Sequence, residues 1–427
     1  MTNEPVIGLD FGTTNSAIAV AGGEGRAMLA TFADGPNRIS NFRSILYFPA
    51  RERFSQQRPE TKAGPEAINA YLDAEAKGRL VVSVKSYLAS NLFTSTSING
   101  RQYTLEDLIA IILRRLRTAA MEQFGTTASQ VVLGRPVRFA GADKEADEAL
   151  ALQRLRTAAE LAGFTHISFE LEPVAAAYQY ETQLDHDELV LIGDFGGGTS
   201  DFTLAQLGPG RKKTGRNPVI GTSGVAIAGD TFDSRIMMQL VAPKLGLGSH
   251  YISLGKELPV PVWVYSQLSS WHHMFLLQDP KIMSVLRQVK NQAAEPVKVS
   301  ALIQIISENL GYDLYRAVEQ TKVALTEKEL ATFLFTQASA HLEDTLERWR
   351  FESWIQGDIQ KIAACIQGLL DQCGVKSNEI DSIFLTGGSS FVPVVRRYFS
   401  RTFGADKLRS GEELTTVAKG LALRALE

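Results

Sequence analysis

The chain has 427 residues, 44% of them hydrophobic and 21% charged, with a formal net charge of −3. That length calls for a soluble globular protein of two lobes or more. The near-neutral balance leaves no electrostatic footprint for nucleic acid or an anionic membrane, and no apolar run is long enough to span a bilayer, so neither is expected as a partner. The opening Met-Thr-Asn-Glu-Pro lacks the basic region and apolar stretch of a secretory signal. Cys365 and Cys373 fall about 12 Å apart along one predicted helix, too far for a disulfide, and a reducing, cytoplasmic setting fits them.

In chain order, residues 6–29 read as strands around a tight turn. Residues 41–103 form a mixed segment with a strand at 44–48 and helical signals around 67–76. Thr104-Leu-Glu-Asp107 has a capping-box pattern ahead of a helix reaching Met121. A strand at 130–133 precedes a turn at Gly134-Arg-Pro136. The spacing from Lys144 to Leu161 predicts a helix stopped by Gly163 as a C′ glycine. After a strand at 167–171, Glu172-Pro173 opens a helix over 174–180, with proline at its favoured first position. Residues 208–218 form a basic Gly/Pro loop, read as a solvated turn. Residues 231–347 are mainly helical, a natural insert. A strand from Ile380 runs into Thr386-Gly-Gly-Ser-Ser390, helix follows over 392–403, and a last helix covers about 415–426.

One pattern occurs twice. Val6-Ile-Gly-Leu-Asp-Phe-Gly-Thr-Thr-Asn-Ser16 returns in altered form as Leu191-Ile-Gly-Asp-Phe-Gly-Gly-Gly-Thr-Ser-Asp201. Each copy is an apolar run ending in aspartate, then a Gly/Thr turn, then a second apolar run, which reads as a β-hairpin with exposed turn N–H groups. Such N–H groups and hydroxyls bind phosphate oxygens, and an aspartate at the strand end reaches an attendant Mg²⁺, usually through water. Two copies predict two lobes gripping one polyphosphate.

These residues, with Glu172-Pro-Val-Ala-Ala-Ala177, Ala228-Gly-Asp-Thr-Phe-Asp233, Gly387-Gly-Ser-Ser-Phe-Val-Pro393 and Val417-Ala-Lys-Gly420, resemble the nucleotide-binding domain of the seventy-kilodalton heat-shock chaperones, in the actin/hexokinase superfamily. The resemblance implies an α/β fold of two duplicated actin-like lobes with ribonuclease H-like, five-stranded mixed sheets. Lobe I would cover residues 1–188 with an insert at about 41–103. Lobe II would cover 189–400 with an insert at about 231–347, and 401–427 would return to lobe I. ATP or ADP with Mg²⁺ would lie in the cleft between them. Gly12, Thr13, Thr14 and Asn15 would hold phosphates from one side, and Gly196, Gly197 and Thr199 from the other. Asp10 and Asp194 would orient hydrated Mg²⁺ with Asp201 nearby. Glu172 and Asp194, with Thr13, would serve catalysis by positioning the attacking water, since phosphoryl transfer needs positioning and charge neutralisation above all. Gly229, Gly387, Gly388, Ser389 and Phe391 would complete the nucleoside pocket, and Glu319 and Lys322, at i and i+3, would bond the ribose. Two local alternatives stay open: Glu172 as a helix N-cap and Glu319/Lys322 as a surface ion pair.

The chain departs from that family pattern in three places. The family stacks an arginine on adenine where this chain has Phe391, whose ring stacks without a cation. Aligned on Gly64 and Ala67, the family's catalytic lysine falls at Ile68, with Lys62 and Lys85 both off that position. Loss of one such contact costs about two to three powers of ten in rate, so a slow or vestigial ATPase is expected. The chain stops at Glu427 just past the closing helix, so neither interdomain linker nor peptide-binding domain is expected. The function implied is a chaperone-like ATP-binding protein with an unidentified protein partner or co-chaperone. A nucleotide-gated interaction module, a small-metabolite kinase and an actin-like filament protein are the other readings.

Overall fold

In the computed structural model the described residues are 5–22, 26–51, 59–74, 77–91, 93–127, 129–181, 184–210, 218–269, 274, 277–337, 340–410, 416–424 and 426. They fold as two compact units, one of residues 1–228, 361–391 and 395–427, the other of 229–360 and 392–394. The centre of the basic loop, 211–217, lies outside the described residues, as do 75–76 of the helix expected at 67–76 and 415 and 425 of the last one.

The first unit contains two sheets of one design. Strands β1 (Val6–Phe11), β2 (Asn15–Ala21), β3 (Ala27–Leu29), β4 (Gln130–Arg135) and β5 (His166–Leu171) stand in the order β3-β2-β1-β4-β5. β1 pairs antiparallel with β2 and parallel with β4, and the short strand Phe42–Arg43 adds to β2. Strands β6 (Glu188–Phe195), β7 (Ser200–Leu207), β8 (Val219–Val225), β9 (Ser382–Thr386) and β10 (Leu408–Ser410) repeat the order as β8-β7-β6-β9-β10. Again a hairpin leads, here β6 against β7, and parallel strands follow on its far side. The duplicated mixed sheets are those the family resemblance implied, the first carrying one extra strand.

The central hairpin of each sheet is buried on both faces, and the sequence of its strands is apolar accordingly. In Ala17-Ile-Ala-Val-Ala21 of β2, Ile18 and Val20 join Ile7, Leu9 and Phe11 in the large core of the first sheet. That core is closed by helices α2 (Leu105–Phe124) and α3 (Glu145–Leu161), which follow a shorter α1 (Pro65–Asp73). Ala17, Ala19 and Ala21 face the other way, onto Ala418 and Ala422 of the helix Thr416–Arg424. The period-2 division into large and small residues lets one strand serve two neighbours at different distances.

Local signals placed most elements. Thr104 caps α2 as expected: its Oγ1 accepts from Asp107 N at 3.1 Å, and Asp107 Oδ2 accepts from Thr104 N at 2.9 Å. α3 ends before Gly163, whose φ is +98°. α4 (Glu172–Glu181) begins at Glu172, while β4 runs on through Gly134 and Arg135, where a turn was expected. Cys365 and Cys373 are free thiols.

The described residues of the second unit are mainly helical, as expected, with helices that include Val262–Leu268, Pro280–Gln292 and Pro296–Ser307. Beside α5 (Gly229–Ile236) and α6 (Gly311–Glu327) the unit carries two antiparallel hairpins, His250–Ser253 with Lys256–Pro259 and Leu330–Gln337 with Ala340–Glu347. In the second hairpin one face is buried and the other exposed, an alternation that helical spacing over a long window obscures. No helix among the described residues is long and apolar enough to cross a membrane.

The helix Thr416–Arg424 crosses α4 at backbone contact: a Cβ on Gly420 would stand 1.8 Å from Ala175 O. Gly420→Ala is expected to cost about 3 kcal/mol, at the upper end of overpacking penalties, because backbone rather than a side-chain tip must yield. Urea denaturation measures it, and a loss below about 0.5 kcal/mol would contradict the close crossing.

Candidate functional site

The two Gly/Thr turns come together in the first unit. Asp10 and Asp194 occupy equivalent places, each one residue before the end of its hairpin strand, paired with Ala17 and Asp201. Between β1 and β2, a Cβ on Gly12 would stand 2.0 Å from Asn15 O, so only glycine closes this turn. Between β6 and β7, Gly196 N donates to Thr199 O at 3.0 Å and leaves Gly197 and Gly198 at the tip. A Cβ on Gly198 would lie 3.9 Å from Thr13 Oγ1, so Thr13 of one turn faces the glycines of the other. Ser44, which sequence reasoning did not single out, braces the first turn: its Oγ donates to Gly12 O at 2.7 Å and its N to Thr14 O at 2.9 Å. Asn15 Oδ1 is buried without a hydrogen-bond partner. An amide rotated by 180° would put an N–H donor there instead, suited to an anion.

The expected adenosine loop joins the same place. Gly387 has φ +83°, and a Cβ on it would meet Phe195 O at 2.1 Å, so the loop lies directly on the end of β6. Gly388 begins a 3-10 turn, and Ser389 Oγ donates to Gly196 O at 3.4 Å. Phe391 is 42% exposed, not a core residue, and the Arg396 guanidinium sits 5.2 Å from its ring centroid. The cation absent at position 391 thus returns from a neighbouring helix onto the ring itself.

Four carboxylates, Asp10, Glu172, Asp194 and Asp201, surround the turns. Burial, then the charge of Glu172, pushes Asp10 up to about 7. The same two causes push Asp201 up to about 7, against hydrogen bonds from Thr199 Oγ1 at 2.9 Å and Arg138 N at 3.3 Å. Asp194 is raised well above the usual carboxylate range by burial and by the charges of Glu172, Asp201 and Asp10.

The ammonium expected to be missing is present, supplied by Lys85. Its Nζ donates to Glu172 Oε1 at 2.8 Å, with 9% of each side chain exposed. Burial alone would lower its pKa, but the charges of Glu172 and Asp10 outweigh that and hold it above the usual lysine range. Ile68 lies on α1, and Lys62 pairs with Glu60 and Glu66 at the surface. The alignment through α1 looked in the wrong element, because the cation arrives from a 3-10 turn, Val84–Tyr87, after the chain has folded back. One sequence signal could have found it: a lone lysine inside Val81-Val-Ser-Val-Lys-Ser-Tyr-Leu88.

The donor set fits Mg²⁺. It offers carboxylate oxygens only, with more negative charge than Lys85 neutralises. Among the described residues no three Asp, Glu, His or Cys side chains converge tightly enough to ligate an ion directly. A cation that keeps most of its water shell would be held there through its waters by Asp10, Asp194 and Asp201.

Gly229, Glu319 and Lys322 lie in the second unit. Lys322 Nζ donates to Asp233 Oδ2 at 2.7 Å and to Gly229 O at 3.4 Å, and Tyr315 OH donates to Asp233 Oδ2 at 3.1 Å. Lys322 is therefore a buried cation held by α5, not half of a surface pair with Glu319, which lies one turn earlier on α6. Asp230, at the start of α5, is raised to about 6 by burial and then by Asp233, against Lys322 and Tyr315.

Two outcomes follow from these buried charges. Lys85→Met is expected to destabilise the protein by about 3–5 kcal/mol, because Glu172 is left buried and unpaired; Glu172→Gln added to it should restore part of the loss. Lys62→Ala should change stability by under about 0.5 kcal/mol in the same denaturant titration. The folded state holds the Asp230 proton more tightly than the unfolded chain, so this group's stabilisation is full below about pH 4 and is lost as pH rises to about 6. Denaturation midpoints of Asp230→Asn should fall less steeply over that window than those of wild type, since Asp10, Asp194 and Asp201 keep their own share of the slope, and parallel curves for the two proteins would refute the assignment.

A family model described as "Hsp70 protein" matches residues 69–244 and 288–426. The chain is 27% identical over 434 residues to the chaperone protein DnaK of Deinococcus proteolyticus, covering 98% of this chain and 58% of that protein. It is 26% identical over 424 residues to the chaperone protein DnaK of Thermosipho africanus, covering 99% of this chain and 59% of that protein. The chain thus spans somewhat less than three-fifths of the length of these relatives. Since the family match takes in strands of both sheets rather than one motif, the chain belongs to the Hsp70 family.

Proposed function

We propose that the protein binds ATP and ADP with Mg²⁺ at the paired turns of the first unit and hydrolyses ATP slowly, as the nucleotide-responsive part of a chaperone-like system. The observation that carries this reading is the meeting of two Gly/Thr turns over four carboxylates and one buried ammonium. Turn N–H groups and the hydroxyls of Thr13, Thr14 and Thr199 suit phosphate oxygens. Bound Mg²⁺ would neutralise phosphate charge, with Asp10, Asp194 and Asp201 holding its waters. Glu172 and Asp194 would orient the attacking water, and Lys85 would offset charge on the phosphates. Phe391, carrying Arg396 on its ring, would lie against the adenine. The ribose role of Glu319 and Lys322 rests on the family resemblance. In this reading residues 1–188 and 189–400 are the two lobes, 401–427 returns to the first, and lobe motion set by the nucleotide is what a protein partner or co-chaperone would read. The free thiols of Cys365 and Cys373 support a reducing, cytoplasmic setting.

One contact favours a second reading, nucleotide-gated binding without turnover. Lys85 already occupies an oxygen of Glu172, the carboxylate assigned to the water. Isotope-labelled ATP with purified protein separates the two, since it reports binding, release of phosphate and any phosphate acceptor.

Mg²⁺-ADP at 100 times its Kd should raise stability by about 2.7 kcal/mol, seen as a higher Tm. Gly197→Val should abolish the shift, because a branched side chain at the turn tip blocks backbone approach to phosphate. Calorimetry showing no nucleotide binding to wild-type protein would overturn both readings.

A further inference from the structure

The turn that carries Lys85 does not hold itself in place. It is a 3-10 turn of only Val84–Tyr87, a length with little intrinsic stability. It is entered through Ser83, a buried non-glycine residue in the left-handed region at φ 52° and ψ 30°, a conformation that persists only where the surroundings enforce it. Its far end leaves a cluster of carbonyls, and a carbonyl buried without a donor is costly.

Arg154, on α3, reaches this cluster. Its Nη1 faces Tyr87 O at 3.2 Å, Leu88 O at 3.1 Å and Ser90 O at 2.8 Å. Its Nε faces Glu106 Oε1 of α2 at 3.4 Å, and only 11% of the side chain is exposed. The guanidinium is thus fixed from behind by an acid and gathers the carbonyls in front. Leu88 is fully buried and anchors the segment too, but apolar contact is non-directional and does not set the rotation of a turn. Directional bonds from a planar, pre-organised fork do.

We propose that Arg154 is a positioning residue that locks the Val84–Tyr87 turn and so fixes the ammonium of Lys85 against Glu172 in the phosphate site. Its value for catalysis rests on the proposed nucleotide function, but the locking itself does not. A neighbour on the same helix provides the contrast. Arg156 also bonds a carbonyl, Ile167 O at 3.1 Å, and stacks 5.1 Å from the Phe169 ring, away from the turn.

The test uses the full chain without nucleotide. Wild type, Arg154→Met and Arg156→Met are pulsed with an amine-acylating reagent across pH 8 to 11, and the rate at each lysine is read by mass spectrometry. Lys322, buried in the second unit, serves as an internal reference for global opening. Arg154→Met should raise the Lys85 rate by about tenfold or more and shift its pH profile downward, with Lys322 unchanged, while Arg156→Met matches wild type. Tenfold corresponds to roughly 1.4 kcal/mol of lost ordering. An unchanged Lys85 rate in Arg154→Met, a parallel rise at Lys322, or an equal rise in Arg156→Met would each overturn the proposal. Protection of wild-type Lys85 by Mg²⁺-ADP is measured separately. Its absence alongside the expected Arg154→Met result would sink the nucleotide reading and leave the positioning role intact.

Discussion

The ion pair between Lys85 and Glu172 is the contact around which the first unit is arranged. A buried carboxylate without a partner is expensive, and here four carboxylates share one recess. One ammonium cannot balance them, and burial first, then the neighbouring carboxylate charges, raise Asp10, Asp194 and Asp201. Such an arrangement persists when the fold is stabilised elsewhere and when a cation or polar ligand completes it. The large core under the first sheet and the alanine-rich seam beside it supply the first condition. Mg²⁺ with a nucleotide supplies the second in the proposed function.

The duplicated sheets bring these charges together by symmetry, then depart from it. Asp10 and Asp194 are equivalent positions of two hairpins, which is why both point into one recess. Their cross-strand partners differ: Ala17 faces the helix Thr416–Arg424, where only a small residue fits, whereas Asp201 adds another carboxylate. Glu172 comes from the start of α4, and Lys85 from a turn on a different stretch of chain. The recess is thus assembled from four separate stretches of chain, with Asp194 and Asp201 on one hairpin.

Membership of the Hsp70 family leaves room for local invention. Where the family places a stacking arginine, this chain has Phe391 with Arg396 laid on its ring. The expectation that Ile68 stands in for the family's lysine rests on aligning through α1, whereas the buried ammonium comes from Lys85 on a 3-10 turn. Electrostatic requirements fix where a charge must be in space far more tightly than where it must be in the chain.

The sequence by itself determined the repeated strand–turn–strand units, the glycine-closed turns, the capped helix at Thr104, the helix opened by Glu172-Pro173 and the candidate residues Asp10, Asp194 and Asp201. These are local: period-2 alternation, caps and turn glycines act over a few residues, so they are legible one window at a time. The hairpins of the second unit were masked because their alternation is short and sits among helices. The source of the cation was decided only by tertiary structure. A lysine at 85 meets a glutamate at 172 because β1, α4 and the 3-10 turn converge, and nothing within either window encodes that distance. Lys322, equally, is assigned by the resemblance to the ribose, with a surface pair to Glu319 as the alternative, and neither reading contains the Asp233 that α5 lays against it. Buried charges are placed by long-range convergence of the chain, and their partners are chosen by the energy of desolvation, which exists only once the core has closed.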